Sequence, residues 1–545
     1  MGKTITLYIF ACLLLGSGVQ AQDRIDSLLK ATVPNDEHPG VIIGVVKSGE
    51  LIYHGFRGSM NRAYQVPFND STVFGLASVT KQFTAAGIGV LVHQGRLSVE
   101  DDIRVWVPEM KDYGETIRIK HLLNHTSGIR NHNVLLDLSG FDYEHRGYTN
   151  AMIQELMFQQ EGINNAPGEK MLYSNTNYVL LALIIERASG LDYHQFLKRE
   201  IFNPLGMKDS FIQSDLHRII ENVAVPHYID NDQFKTPKSL TLCVGAGGMG
   251  STVEDLANWS QVLLAPSHPM SYLGSFLTEQ DQLPNGQIMA NARGLFIADY
   301  QGYKTIHHGG RDLGMRSQFI CIPQLDLAVI VYTNSEDINA NALSYEVIDC
   351  FINPAQKNTE EQTSTFTHSG NFDSFIGTYQ ELNSDLRMNT FEEQDTLKAI
   401  SSFGREPNTL VAVSETNFQR SGSASVHYNF APDPITQADL LVDFGGATFY
   451  FERIELNPQP TTQLKDFTGT FHSKELNTTY QLHIEEGQLI LQIPNRSPMA
   501  LKEGQKDEFG ANRRTRYTFH RNENGEVVSF EVASEGTVKG ILFYR

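Results

Sequence analysis

Cysteine is scarce in this chain, with four among 545 residues, and one of them, Cys12, lies in a leader-like stretch. The other three, Cys243, Cys321 and Cys350, are odd in number and scattered, which excludes a disulfide framework even in an oxidising compartment. No His-Glu-x-x-His or Cys-x-x-Cys pair occurs, so nothing in the sequence calls for a metal or any other cofactor. Cations are also in short supply: 43 Lys and Arg against 63 Asp and Glu leave a formal charge of -20, which repels phosphate backbones and argues against a nucleic-acid partner. Beyond the leader no run approaches the roughly eighteen uninterrupted apolar residues of a transmembrane helix. A Gly-x-Ser-x-Gly elbow is missing too, which excludes the α/β-hydrolase arrangement of a serine nucleophile.

What is present belongs to a globular protein. A composition of 41% hydrophobic, 10% aromatic and 19% charged residues builds real cores and rules out wholesale disorder. At roughly 150 residues per domain, the length suggests about three or four domains. Residues 1–21 read as a secretory signal peptide: Lys3 is the only charge, Ile5 to Gly16 is apolar, and Val19-Gln20-Ala21 places small residues at the cleavage positions. The expectation is a secreted or periplasmic protein, with a lipid anchor on Cys12 as the lesser alternative.

Residues 22–355 mix helical and strand patterns and form an α/β-type domain that ends in the strand-like run Leu327 to Thr333 and a short helix. The stretch 356–370, QKNTEEQTSTFTHSG, has almost no apolar anchor and reads as a linker. Beyond it the pattern becomes short alternating strands, as in Tyr480, Leu482 and Ile484. Phe375-Ile376-Gly377-Thr378-Tyr379 recurs as Phe467-Thr468-Gly469-Thr470-Phe471. Two small all-β units are implied, over 371–456 and 463–545, separated by the proline-containing connector 457–462. Each is long enough for eight short strands closed as a lipocalin-like barrel. Their expected role is as spacers or as contacts with the cell envelope.

Three short motifs carry chemistry. Ser78-Val79-Thr80-Lys81 enters a helical pattern that Gly95 ends, so an ammonium lies one turn from a hydroxyl at a helix start. A lysine that is partly desolvated can take the proton of such a serine. Ser27-Leu28-Leu29-Lys30 has the same spacing but no partner motif around it. Tyr173-Ser174-Asn175 follows a Pro-Gly turn and precedes a long apolar helix; in an extended segment its outer two side chains point the same way, Tyr173 as a proton carrier and Asn175 as a hydrogen-bonding group. Tyr148-Thr149-Asn150 and Tyr332-Thr333-Asn334 match the triplet without that context. His308-Gly309-Gly310 stands beside strand patterns, where glycines would let a substrate lie close against the backbone.

In this order the three motifs resemble those of the class C β-lactamase and penicillin-binding-protein-like serine hydrolases, over roughly residues 38–350, with His308-Gly309-Gly310 in place of Lys-Thr-Gly. Leu122 to Ile129, Asn203 to Met207 and Gly247 to Thr252 are similar as well. The last precedes a helix with Ser251 as its expected cap and Glu254 three residues on. His125 and Ser127 are read as scaffold.

The resemblance implies an α+β catalytic domain, an antiparallel sheet flanked by helices plus a helical lobe, followed by the two barrels. It implies that Ser78 is the acylated nucleophile, Lys81 its proton-transfer partner, Tyr173 the general acid/base, and Asn175, His308 and Gly310 substrate-positioning groups. The backbone N–H groups of Ser78 and Arg311 would form the oxyanion hole. The histidine removes a permanent cation that family members use to hold a substrate carboxylate, although Arg311 or Arg316 could compensate. The same variation, with two C-terminal barrels, is similar to D-aminopeptidase-like members. The expectation is therefore an exported serine hydrolase of small amide, peptide or ester substrates. The alternatives are a β-lactamase or D-Ala-D-Ala carboxypeptidase, and, from another class, a non-catalytic envelope binding protein.

Overall fold

The computed structural model describes residues 20–352 except 285 and 287, residue 366, and residues 371–545 except 383–385, 403, 405, 422–425, 434–435, 445–447, 456–462 and 513. The leader up to residue 19 with Cys12, the linker 356–370 apart from Phe366, and the connector 457–462 lie outside the described residues. The chain divides into two compact units. Residues 20–96, 185–279 and 292–352 belong to the first, and residues 97–184, 280–291 and 371–545 to the second.

The first unit is built on a six-stranded sheet. In chain order its strands are β1 (Val41–Lys47), β2 (Glu50–Arg57), β3 (Phe296–Tyr300), β4 (Tyr303–Asp312), β5 (Met315–Ile322) and β6 (Leu327–Thr333). Their spatial order is β3-β4-β5-β6-β1-β2, antiparallel throughout. Central β6, LAVIVYT, is buried at every residue, and a strand covered on both faces has no position for a polar alternation. On one face Ile25, Leu29 and Val33 of the N-terminal helical segment, with Leu343, Val347 and Ile348 of the helix Ala340–Ile348, pack against Val41, Ile43, Val45, Ile320, Val329 and Val331. The helix Val253–Leu264 packs against the same sheet. Its cap is Thr252, which accepts the Asp255 N–H at 3.3 Å, and not the expected Ser251. Ser251 is engaged one residue earlier, pairing with Phe74 in a three-stranded sheet.

The second unit joins a helical lobe to two closed barrels of eight antiparallel strands each. The repeated sequence opens both, as the first strands Gly377–Glu381 and Gly469–Ser473. Aromatic rings fill the interiors: Phe372, Phe375, Tyr379, Phe418 and Phe430 in the first barrel, Phe467, Phe471, Tyr480, Phe519 and Phe530 in the second. Each such ring removes roughly 150–250 Å² from water, so these barrels are held by packed cores. Among the described residues no helix is long and apolar enough to cross a membrane.

Candidate active site

In the first unit the strand residues Phe74–Gly75 pair with Met249–Ser251 and lead into a 3-10 turn, Ala77–Thr80, continuous with the helix Lys81–His93. The backbone of Ala77 is left-handed, φ 47°, a conformation costly for a residue with a Cβ. Neighbours pin the turn there. The Leu76 N–H donates to Met249 O at 2.9 Å, and the Ser317 hydroxyl on β5 donates to Leu76 O at 2.7 Å. Ser78 remains partly exposed while Val79, Thr80 and Lys81 are buried.

Lys81 Nζ lies 3.1 Å from Ser78 Oγ and donates to Ala246 O at 2.9 Å. Burial pushes its pKa down to about 7, and burial likewise pushes the nearby Cys243 thiol up to about 12, so that it stays protonated and supplies no charge to hold the ammonium. A lysine in that range exchanges a proton readily with a hydroxyl at hydrogen-bond distance.

His308, Gly309 and Gly310 lie on β4. The β3 pairing ends at Phe296 opposite His307, whereas β5 pairs on to Asp312, so from His308 onward β4 has a strand of this sheet on one side only. A Cβ on Gly310 would stand 2.1 Å from Ser317 Oγ and 2.2 Å from Leu76 O, so only glycine lets this strand lie against the nucleophile turn. His308 Nδ1 is 2.6 Å from Gly309 O, which fixes the Nδ1–H tautomer and leaves Nε2 as the lone-pair nitrogen. Burial, then the Lys81 charge, push its pKa down to about 3; it is a neutral imidazole at physiological pH. The Phe296 ring lies 5.2 Å from it. Arg311 is exposed, and Arg316 Nη1 donates to the carbonyls of Asp312 and Met315, each at 2.7 Å, bracing the β4–β5 hairpin.

Tyr173 and Asn175 belong to the second unit. They do not form the extended triplet expected from their spacing: Tyr173 and Ser174 are irregular, and Asn175 opens the helix Asn175–Ser189. The Tyr173 ring rests on His125, centroids 4.3 Å apart, and His125 Nδ1 accepts the Ser174 N–H at 3.2 Å. Ser127 Oγ donates to Asn177 Oδ1 at 2.7 Å. His125 thus packs on the Tyr173 loop, while Ser127 bonds the helix that follows it. Asn175 Nδ2 donates to Asn133 Oδ1 at 2.7 Å, and its N–H donates to Asn131 Oδ1 at 3.3 Å.

Ser78, Lys81, His308, Gly310 and Arg311 therefore share one unit, and Tyr173 and Asn175 share the other. Sequence reasoning missed Ser317, the carbonyl of Ala246, Asn131 and Asn133. The only available signal was the pair of asparagines two apart in Arg130-Asn131-His132-Asn133, directly after the Ser127-Gly128-Ile129 stretch.

Comparison with known proteins decides the family. The beta-lactamase family profile matches residues 25–346. The chain belongs to the beta-lactamase family. A second profile, a domain of unknown function (DUF3471), matches residues 455–542, the region of the second barrel. Penicillin-binding protein 4* of Bacillus subtilis (strain 168) is 37% identical over 211 residues, 38% of this chain and 44% of that protein. D-aminopeptidase of Gluconobacter oxydans (strain 621H) is 24% identical over 313 residues, 57% of this chain and 58% of that protein. The matches thus span about half the length of these curated relatives. Among solved structures, the octameric penicillin-binding protein homologue from Pyrococcus abyssi shares the fold with a TM-score of 0.56 at 20% identity, covering 87% of this chain and 99% of that one. Within the beta-lactamase family the chain is thus similar to a penicillin-binding protein and to a D-aminopeptidase.

Proposed function

We propose that the chain is an exported hydrolase that forms an acyl-enzyme on Ser78 from small amide, peptide or ester substrates, amides of D-amino acids first among them. The observation that carries this reading is the 3.1 Å separation of Lys81 Nζ and Ser78 Oγ. With its pKa near 7, a large share of Lys81 is neutral at physiological pH and takes the hydroxyl proton as Oγ bonds to the substrate carbonyl carbon. The oxyanion so formed would be received by the N–H groups of Ser78 and Arg311. The sequence motif assigns Tyr173 the proton delivered to the leaving amine or alcohol, and Asn175 the positioning of the substrate amide. Water then releases the acyl group from Ser78.

The substrate class follows from His308. A neutral imidazole cannot anchor a carboxylate as a lysine would, which favours substrates without one at that position. The name of the Gluconobacter oxydans relative, D-aminopeptidase, fits this preference. Export rests on the leader at residues 1–21.

The test is turnover of D-alanine p-nitroanilide and p-nitrophenyl acetate by the leader-free protein and its Ser78→Ala variant. Activity in the first and none in a folded second is expected; equal activity would sink the reading. Mixing with a penicillin should leave the intact mass unchanged. A Ser78-dependent adduct would move the function to a β-lactamase or carboxypeptidase.

A further inference from the structure

The second barrel is seated on the helical lobe by three hairpin turns from one of its ends, all within the second unit. The turn between strands Gly469–Ser473 and Thr478–Glu485 supplies Glu475, whose Oε2 is 2.6 Å from Arg130 Nη1 and accepts the Glu161 N–H at 2.7 Å. Both members of this ion pair are buried, with side chains 3% and 7% exposed. The turn between Val527–Ser534 and Val538–Tyr544 accepts from the lobe at Thr537 O, from Asn164 Nδ2 at 2.8 Å and from the Asn131 N–H at 3.3 Å; Gly540 O accepts from Arg130 Nη2 at 3.1 Å. The third turn brings Asn495, which donates to Gly140 O at 3.0 Å.

Two of these turns grip the strip Arg130–Asn133, and the same strip holds Asn175. Thr176 Oγ1 donates to Arg130 O at 2.8 Å and accepts the His132 N–H at 2.8 Å. Asn131 and Asn133 accept from the Asn175 N–H and from Asn175 Nδ2. Four consecutive residues thus bond the barrel through the Arg130 side chain and the Asn131 N–H, and bond Asn175–Thr176 through their remaining groups.

We propose that the barrel at 463–545 is a positioning element for the reaction: Glu475 and the Thr537 turn fix the strip Arg130–Asn133, and the strip fixes Asn175. This rests on the reading above that Asn175 positions the substrate amide. A buried ion pair braced by further hydrogen bonds, here from Arg130 Nη2 to Gly540 O and from the Glu161 N–H to Glu475 Oε2, is a stiff joint, and removing one member leaves an uncompensated charge that forces the joint to rearrange.

The test is a double-mutant cycle on the full chain with Glu475→Gln and Asn175→Ala, reading kcat and KM for D-alanine p-nitroanilide and p-nitrophenyl acetate at a temperature where thermal melts show every variant folded. Asn164→Ala serves as the milder seat variant if Glu475→Gln does not fold. Arg387→Gln, which breaks the pair with Glu508 between the two barrels, is the control for lost stability alone. Glu475→Gln is expected to lower kcat/KM for the anilide about tenfold or more, with a smaller effect on the activated ester. Asn175→Ala should reproduce that selective loss, the double variant should be no worse than the worse single, and Arg387→Gln should match wild type. Multiplicative losses, equal losses in the control, or a seat variant within twofold of wild type would overturn the proposal while leaving the hydrolase reading intact. Wild-type activity in Asn175→Ala, or no activity in the wild-type chain, would overturn the assignment the proposal rests on and the proposal with it.

Discussion

Lys81 is fully buried, and its low pKa has opposite consequences for activity and stability. As a base it works only when neutral, so the rate should rise with pH through about 7 and level off above; His308, held near 3, should add no step between pH 4 and 8. A pH–rate profile of kcat/KM checks both, and Lys81→Met should remove the activity. For stability, the unfolded lysine titrates near 10.5 and the folded one near 7. Between those values the unfolded chain binds more protons, so stability rises with pH across this window, and the cost of burying the ammonium is complete below about 7. Lys81→Met should therefore melt higher than wild type at pH 6, with the gap closing towards pH 10.5. Differential scanning calorimetry across that range measures it.

Among the elements, the nucleophile turn and β4 are fitted to each other through residues without side-chain bulk. Gly310→Ala would drive its Cβ into Ser317 Oγ and Leu76 O, and the turn carrying Ser78 must move. A displacement near 1 Å in such a site costs on the order of 100-fold in rate. That loss is the expected outcome for Gly310→Ala in a folded protein. Ser317→Ala, which only releases the tether on Leu76, should lose about tenfold, and steady-state kinetics beside thermal melts separates the two.

The i, i+3 pair Ser78–Lys81 was legible in the sequence because helical periodicity places it; His308-Gly309-Gly310 was singled out by motif order, and that it lies within a strand itself, rather than before the strand patterns that follow, came from the structure. The Thr252 cap was misread by one residue because Ser251 is claimed by a strand partner, Phe74, that adjacency in sequence does not reveal. Ser317 meets Leu76 across 241 residues, and Asn133 meets Asn175 across 42, distances over which no local pattern operates.

At the scale of the whole molecule, the linker composition of residues 356–370 predicts protease cleavage there. The second barrel, however, is held to the lobe by the buried Arg130–Glu475 pair, by Tyr480 donating to Leu138 O, and by Arg496 with Asp137. Cleaved chains should therefore run as one species on size exclusion at neutral pH and separate only in denaturant. Loss of one member of a buried ion pair costs about 3–5 kcal/mol, so Glu475→Ala should weaken that association measurably.

The sequence alone determined the family, the two repeated β units and the chemical kinds of the site residues, since these reside in short motifs and in periods of two and 3.6 residues. Only the tertiary structure decided the protonation states and the seating. Burial, which brings Lys81 to about 7 and His308 to about 3, is a property of what surrounds a side chain in space. The joint between barrel and lobe likewise unites residues more than 300 positions apart, through hydrogen bonds that exist only once both have folded.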